Sequence, residues 1–284
     1  MPPVTTPPAT MTEFLDALRT VPLLRYALFA GILSSLSFGV IGSFVVCRRI
    51  GYIAAAIAHS VLGGIGAAIY FNRAHDIGWL NPMIGALFAA VLSALVIGCV
   101  SLQAKEREDT IIGAIWAIGM ASGLLFLHFT PGTGVNLESY IFGNILLTSG
   151  TDVLATGVLS FVVLAVTLLY YHKLVAVCFD EEFARLRGLR SGGYFLLLLV
   201  LLAVSIVLLV RLTGIILAIA LIVLPAATAS RFSHSLWRIM ILAVALSLVY
   251  TSGGLWLSFQ TETPTGPIIV LIAAAGYVIA LLKR

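Results

Sequence analysis

Nine apolar runs, each near the roughly 20 residues that carry an α-helix across a bilayer, occupy most of this 284-residue chain. They fall near 26–47, 52–71, 83–103, 111–129, 152–171, 194–210, 213–230, 238–259 and 267–282. With 61% of residues hydrophobic and only 10% charged, the chain has too few polar residues to cover a soluble domain. Backbone in hydrocarbon must pair its own N–H and C=O groups, which leaves helices as the economical solution for runs of this length. The predicted fold class is therefore all-α, a polytopic transmembrane helical bundle of eight or nine spans. The segments between runs are roughly 5–25 residues long, far below domain size. An embedded ATPase, kinase or soluble binding domain is excluded.

The remaining polar residues organise the chain. Residues 1–23 read as an arm: MPPVTTPPATMTEF is Pro/Thr-rich, has no basic start followed by an apolar stretch, and is not a cleavable signal peptide. Residues 10–22 suit a short interfacial helix, and 24–284 form the membrane domain. Arg211-Leu212-Thr213-Gly214 divides the sixth run from the seventh and is expected to turn at a surface. With nine spans, alternate connections share a side. Twelve Lys and Arg then collect on one side (48, 49, 105, 107, 173, 185, 187, 190, 231, 238, 283, 284) and four on the other (19, 25, 73, 211). That bias places the C-terminus in the cytoplasm and the N-terminus outside. Cys47, Cys99 and Cys178 show no CxxC or Cys/His pattern and read as small apolar residues.

The second run, GYIAAAIAHSVLGGIGAAIYF, carries His59 about eight residues from its start, or about 12 Å at 1.5 Å per residue. An imidazole at that depth is costly unless it faces a partner helix or a cavity. The neighbouring Ala54, Ala55, Ala56, Ser60, Gly63, Gly64 and Gly66 permit close helix approach. Small faces at 54–67 and 113–123 also invite contact with a second copy. The alternative reading of His59 is a buried, satisfied histidine of the packing.

On the basic side, residues 172–193 read HKLVAVCFDEEFARLRGLRSGG. From about 179 to 190 the pattern is a short amphipathic helix, with Phe179, Phe183 and Leu186 on one face. Asp180, Glu181 and Glu182 stand near its start and Arg185, Arg187 and Arg190 near its end, matching the helix dipole. It either turns the chain at the interface or docks its aromatic knob on a soluble partner.

Taken in order, six segments resemble the permeases of the metal-ion ABC transporters that import zinc, manganese or iron, the zinc-uptake permease type. They are FVVCRRIGYIAAAIAHSVLGGIG, KEREDTIIGAIWAIGMASGLLFL, NLESYIFGNILL, FDEEFARLRGL, GIILAIALIVLPAATA and TPTGPIIVLIAA, and the likeness covers roughly 24–282. The resemblance implies an ATP-driven importer in a bacterial cell (inner) membrane. Its partners would be an ABC ATPase, an extracytoplasmic metal-binding protein, a second permease copy and membrane lipid, with no nucleic acid. It also implies no permanently bound cofactor and no enzymatic activity; the divalent metal is cargo. The absence of GxxxxGK[ST] agrees, because ATP would be handled by another chain.

The likeness makes His59 a transit ligand and assigns ATPase coupling to Phe179, Asp180, Glu181, Glu182, Phe183 and Arg185. The family usually has an aspartate four residues before the helix histidine, where this chain has Ala55. Coordination by nitrogen alone leans slightly towards zinc over manganese, which favours oxygen. Glu138, in NLESY, is a candidate contact for the metal or its binding protein, or else a solvated loop acid. Pro225 is expected to kink a helix beside the pathway. His128 reads as a surface anchor, His75 and Asp76 as a solvated turn, and Asp152 as the cap of the fifth span after Thr151. A gradient-driven secondary transporter of a small cation is the alternative, but it would need intramembrane acids that this chain lacks. An intramembrane enzyme would need HExxH, GxSxG or a multi-ligand site, and only His59 lies at depth.

Overall fold

The computed structural model describes residues 11–103, 108–132 and 148–282. Among these residues every regular element is a helix. In chain order they are α1 (Met11–Thr20), α2 (Pro22–Arg48), α3 (Gly51–His75), α4 (Pro82–Gln103), α5 (Glu108–Phe129) and α6 (Gly150–Leu169). There follow α7 (Tyr171–Phe179), α8 (Glu181–Leu186), α9 (Ser191–Thr213), α10 (Ile215–Phe232), α11 (Leu236–Thr261) and α12 (Thr265–Leu282). Eight helices are long and apolar enough to cross a membrane, and Ala218–Phe232 of α10 is a shorter apolar one.

Three helices make the centre. The spans of α2, α3 and α9 are 72%, 72% and 67% buried, whereas α5 is 11% buried and lies at the edge. Apolar side chains alone do not select neighbours in lipid, because hydrocarbon is as good a partner; small residues and hydroxyls do. Thus Gly31 and Gly39 of α2 receive Thr251 and Val244 of α11, which fixes the two helices as antiparallel. Ser35 Oγ lies 3.3 Å from Thr251 Oγ1, and each hydroxyl is also bonded to the carbonyl four residues before it. On α3, a Cβ at Gly64 would fall against the carbonyl oxygen of Gly85 on α4, and one at Gly85 against that of Gly64. On its other side, Gly63 meets Gly119 and Gly66 meets Gly123 of α5. The small faces at 54–67 and 113–123, expected to serve a second copy, therefore largely meet each other within one chain.

Other sequence expectations need correction. Gly214 (φ 83°) alone separates α9 from α10, and it is buried, as is Ile215. These two residues are covered by protein where a surface turn was expected. Phe195 of α9 sits by Arg48, and Val46 packs on Ala226 and Ala229 of α10, so both helices share the Arg48 end and the chain reverses between them. The stretch expected as a loop from 172 begins instead with α7, whose Leu174 and Val177 are buried. Phe179 ends α7, so the expected amphipathic helix shortens to the six residues of α8, closed by Gly188 at φ 80°. The cap of α6 is Ser149, whose Oγ accepts from the Asp152 amide at 3.3 Å, while Asp152 at N3 accepts from the Ser149 amide at 3.0 Å. Helix α10 runs through Pro225, which has no N–H for the carbonyl of Leu221. All three cysteines are free, and burial pushes the Cys178 thiol up to about 12.

The glycine contacts can be tested by thermal denaturation in detergent. Gly64→Ala and Gly85→Ala should each lower stability by about 1–3 kcal/mol through overpacking. Gly113, with open space around its Cα, should accept alanine without loss. Equal melting temperatures for all three variants would show that the α3–α4 contact does not set helix spacing.

Candidate functional site: an intramembrane imidazole and a helix at the Arg48 end

His59 lies two turns into α3, at a level where α5 packs closely. Gly119 of α5 sits against the Cα of Ser60, and this close approach brings Trp116, one turn earlier on α5, over the imidazole. The two rings stack with centroids 4.1 Å apart and planes 23° from parallel. Ring nitrogen Nδ1 lies 2.8 Å from the carbonyl oxygen of Ala55, one turn back on α3. A carbonyl only accepts, so Nδ1 carries a proton, and the tautomer this bond selects has its lone pair at Nε2. A backbone carbonyl that fixes the tautomer in this way is the usual support of a metal-ligating histidine. His59 is half-buried and Trp116 is 37% exposed, so the pair lies at the edge of a single chain.

One imidazole does not hold a metal ion. Among the described residues no group of three or more His, Cys, Asp or Glu could do so. Ala55 is buried beside His59 and supplies only its carbonyl. Glu138 lies outside the described residues. His75 and His128 end α3 and α5 at the far end of the bundle, where Tyr70, Phe71 and Phe126 pack together. His75 is part of that aromatic cluster, 5.6 Å from Phe71 between ring centroids, and Asp76 closes α3 in the left-handed region at φ 53°. Pro225 is buried in α10, whose Ile222 and Val223 meet Gly42 and Gly51; Gly51 stands two turns below His59 on α3.

At the opposite end, α8 is held by its polar residues and displays its apolar ones. Asp180 caps it, its Oδ1 accepting from the Phe183 amide at 2.8 Å. Ala184 is its one buried residue. Phe179, Phe183 and Leu186 are 62%, 51% and 82% exposed, as the amphipathic pattern required. Arg187 lies 5.1 Å from the Phe183 ring centroid, while Glu182 and Arg185 face outward. Glu181 turns back to the body of the protein and pairs with Arg48.

Two participants escaped the sequence reading. Trp116 carries a signal, since tryptophan favours the membrane interface and this one stands within a span. Arg48 counted towards the charge bias and the arginine pair of the first resembling segment, but not as an ion-pair partner, because Val177 and Glu181 lie 129 and 133 residues away.

Comparison with known proteins places these features. The ABC 3 transport family matches residues 20–284. A "Probable metal transport system membrane protein" of Chlamydia trachomatis is 36% identical over 263 residues, covering 93% of this chain and 89% of the relative. The "Manganese transport system membrane protein MntC" of Halalkalibacterium halodurans is 32% identical over 270 residues, covering 95% and 90%. Among solved structures, PsaBC from Streptococcus pneumoniae in complex with Fab superposes with a TM-score of 0.85 at 28% identity, covering 95% of both chains. The chain belongs to the ABC 3 transport family, as a multi-pass membrane permease of a metal ABC transporter and not an enzyme.

Proposed function

We propose that this chain is the permease of an ATP-driven importer that takes a divalent metal ion from an extracytoplasmic binding protein and releases it into a bacterial cytoplasm. The observation that carries the reading is the presentation of His59. Its Nδ1 proton is committed to Ala55, which leaves Nε2 able to replace one water of a passing ion. The cargo is manganese or zinc. The names of several relatives support manganese, and an imidazole without a carboxylate at position 55 favours zinc. The lysine and arginine distribution supports an external N-terminus and a cytoplasmic C-terminus. In that orientation α8 faces the cytoplasm, and its exposed Phe183 and Leu186, with Phe179 at the end of α7, fit an apolar groove of the ATPase. Glu138 is assigned to the external side, for contact with the binding protein or its ion.

A second copy completes the path. Helix α5 is little buried, and its Trp116 and the adjoining His59 stand at the edge of the chain. An imidazole turned towards lipid is penalised, whereas the same face against another copy would bring two imidazoles together. Two nitrogen ligands without a carboxylate bind loosely, which suits a site that must let its ion go.

Three measurements test these statements. In vesicles containing the ATPase and binding protein, His59→Ala should lower manganese or zinc uptake by about tenfold or more, equivalent to a loss of at least about 1.4 kcal/mol. Uptake at the unaltered rate would make His59 a packing residue. Replacing Glu182 and Phe183 together by alanine should abolish co-purification of the ATPase or uncouple its hydrolysis from transport, with the permease still in the membrane. Full transport by that variant would remove α8 from the coupling role. With the three native cysteines changed to serine, Trp116→Cys should be joined to a second copy by a short bis-maleimide. A monomer that resists this reagent and still transports would overturn the two-copy path.

A further inference from the structure

We propose that Arg48 is a positioning residue that transmits movement of α8 to α3, the helix that bears His59. The proposal rests on the docking role of α8 given above. It begins with one guanidinium held by three other elements. Arg48, the last residue of α2, donates to the carbonyl of Val177 on α7 and to the carboxylate of Glu181 on α8. Its Cζ lies 4.7 Å from the ring centroid of Phe195 on α9. The pair is partly shielded, with 18% and 38% of the two side chains exposed. Charge-assisted bonds of this kind are stronger and more directional than neutral ones, and only arginine offers a planar fork that serves two acceptors at once.

The other side of Arg48 is stiff. Arg49 closes α2 in the left-handed conformation at φ 59°, its amide bonded to the Val46 carbonyl at 3.2 Å. The Ile50 amide bonds to Val45 at 3.1 Å, and the Ile50 carbonyl accepts from Ile53 in the first turn of α3. Two hydrogen-bonded residues therefore join α2 to α3, leaving no slack for a displacement of Arg48 to be lost. From there α3 rises as one helix to His59. In contrast, α8 is six residues long with only Ala184 buried, so Glu181 gives it a rare polar grip on the bundle. Beside the guanidinium lies a cavity of about 350 Å³, lined by Cys47, Tyr52, Ser101, Cys178 and Phe195 among others.

The test uses the reconstituted permease with its ATPase and binding protein, reading metal transported per ATP hydrolysed. Arg48→Gln and Glu181→Gln should each lower that ratio about tenfold or more, with the ATPase still co-purifying and the melting temperature nearly unchanged. Arg48→Lys should fall between them and the parent, and the exchange Arg48→Glu with Glu181→Arg should recover part of the ratio. An unaltered ratio in Arg48→Gln overturns the proposal. So does a loss explained by lower melting temperature and lost ATPase binding in both glutamine variants, which would mark a structural anchor. If the Glu182/Phe183 alanine variant retains full transport, the docking role of α8 fails on its own, whatever Arg48 does.

Discussion

At Gly64 the backbone of α3 lies against a carbonyl of α4, and on the other side Gly63 and Gly66 admit the backbone of α5. Lipid offers no hydrophobic force to press helices together, so van der Waals contact at this short range chooses the neighbours. The spacing has a chemical result. Because Gly119 brings α5 up to Ser60, Trp116 reaches the imidazole one residue earlier on α3 and covers a face of it. A larger residue at 119 would lift the indole away and let His59 rotate. The orientation of the His59 imidazole thus depends on a residue with no side chain.

The partner of that imidazole also sets its strength. A carboxylate one turn below would add a negative charge and an oxygen ligand, deepening the well for a divalent ion by several-fold in affinity or more. The Ala55 carbonyl fixes the same tautomer and adds only a dipole. Orientation is kept while attraction is reduced. For a storage site that would be a defect. In the transit role proposed for His59, it would shorten the stay of the ion.

The spans were legible in the sequence because each is an apolar run of the right length, and α8 because an acidic start, an aromatic face and a basic end coincide within ten residues. Helix α7 was not, since YHKLVAVCF continues the preceding run and the break at Tyr170 is only a local departure at φ −103°. The tight turn at Gly214 was legible from RLTG between two apolar runs, but the burial of Gly214 and Ile215 was not, because no local pattern tells what covers a turn. In the site, His59 stood out as the polar exception in an apolar helix. Its stacking on Trp116 and the Arg48–Glu181 pair did not, because both are set by helix packing between distant segments, which no local pattern encodes.

The reversal at Gly214 bears on how the protein is made. A polypeptide entering the bilayer from a ribosome usually inserts one apolar segment at a time, each stopped by a polar connection. Here a single buried glycine joins α9 to α10, with its amide bonded to Val210 at 3.0 Å and its carbonyl to Ala218 at 3.2 Å. So short a connection favours entry of α9 and α10 as one hairpin. That hairpin is then packed by helices synthesised both before and after it. The surroundings of α10 are therefore completed only when α11 and α12 arrive, whereas α9, made sixth among the long spans, packs mainly on helices already in place.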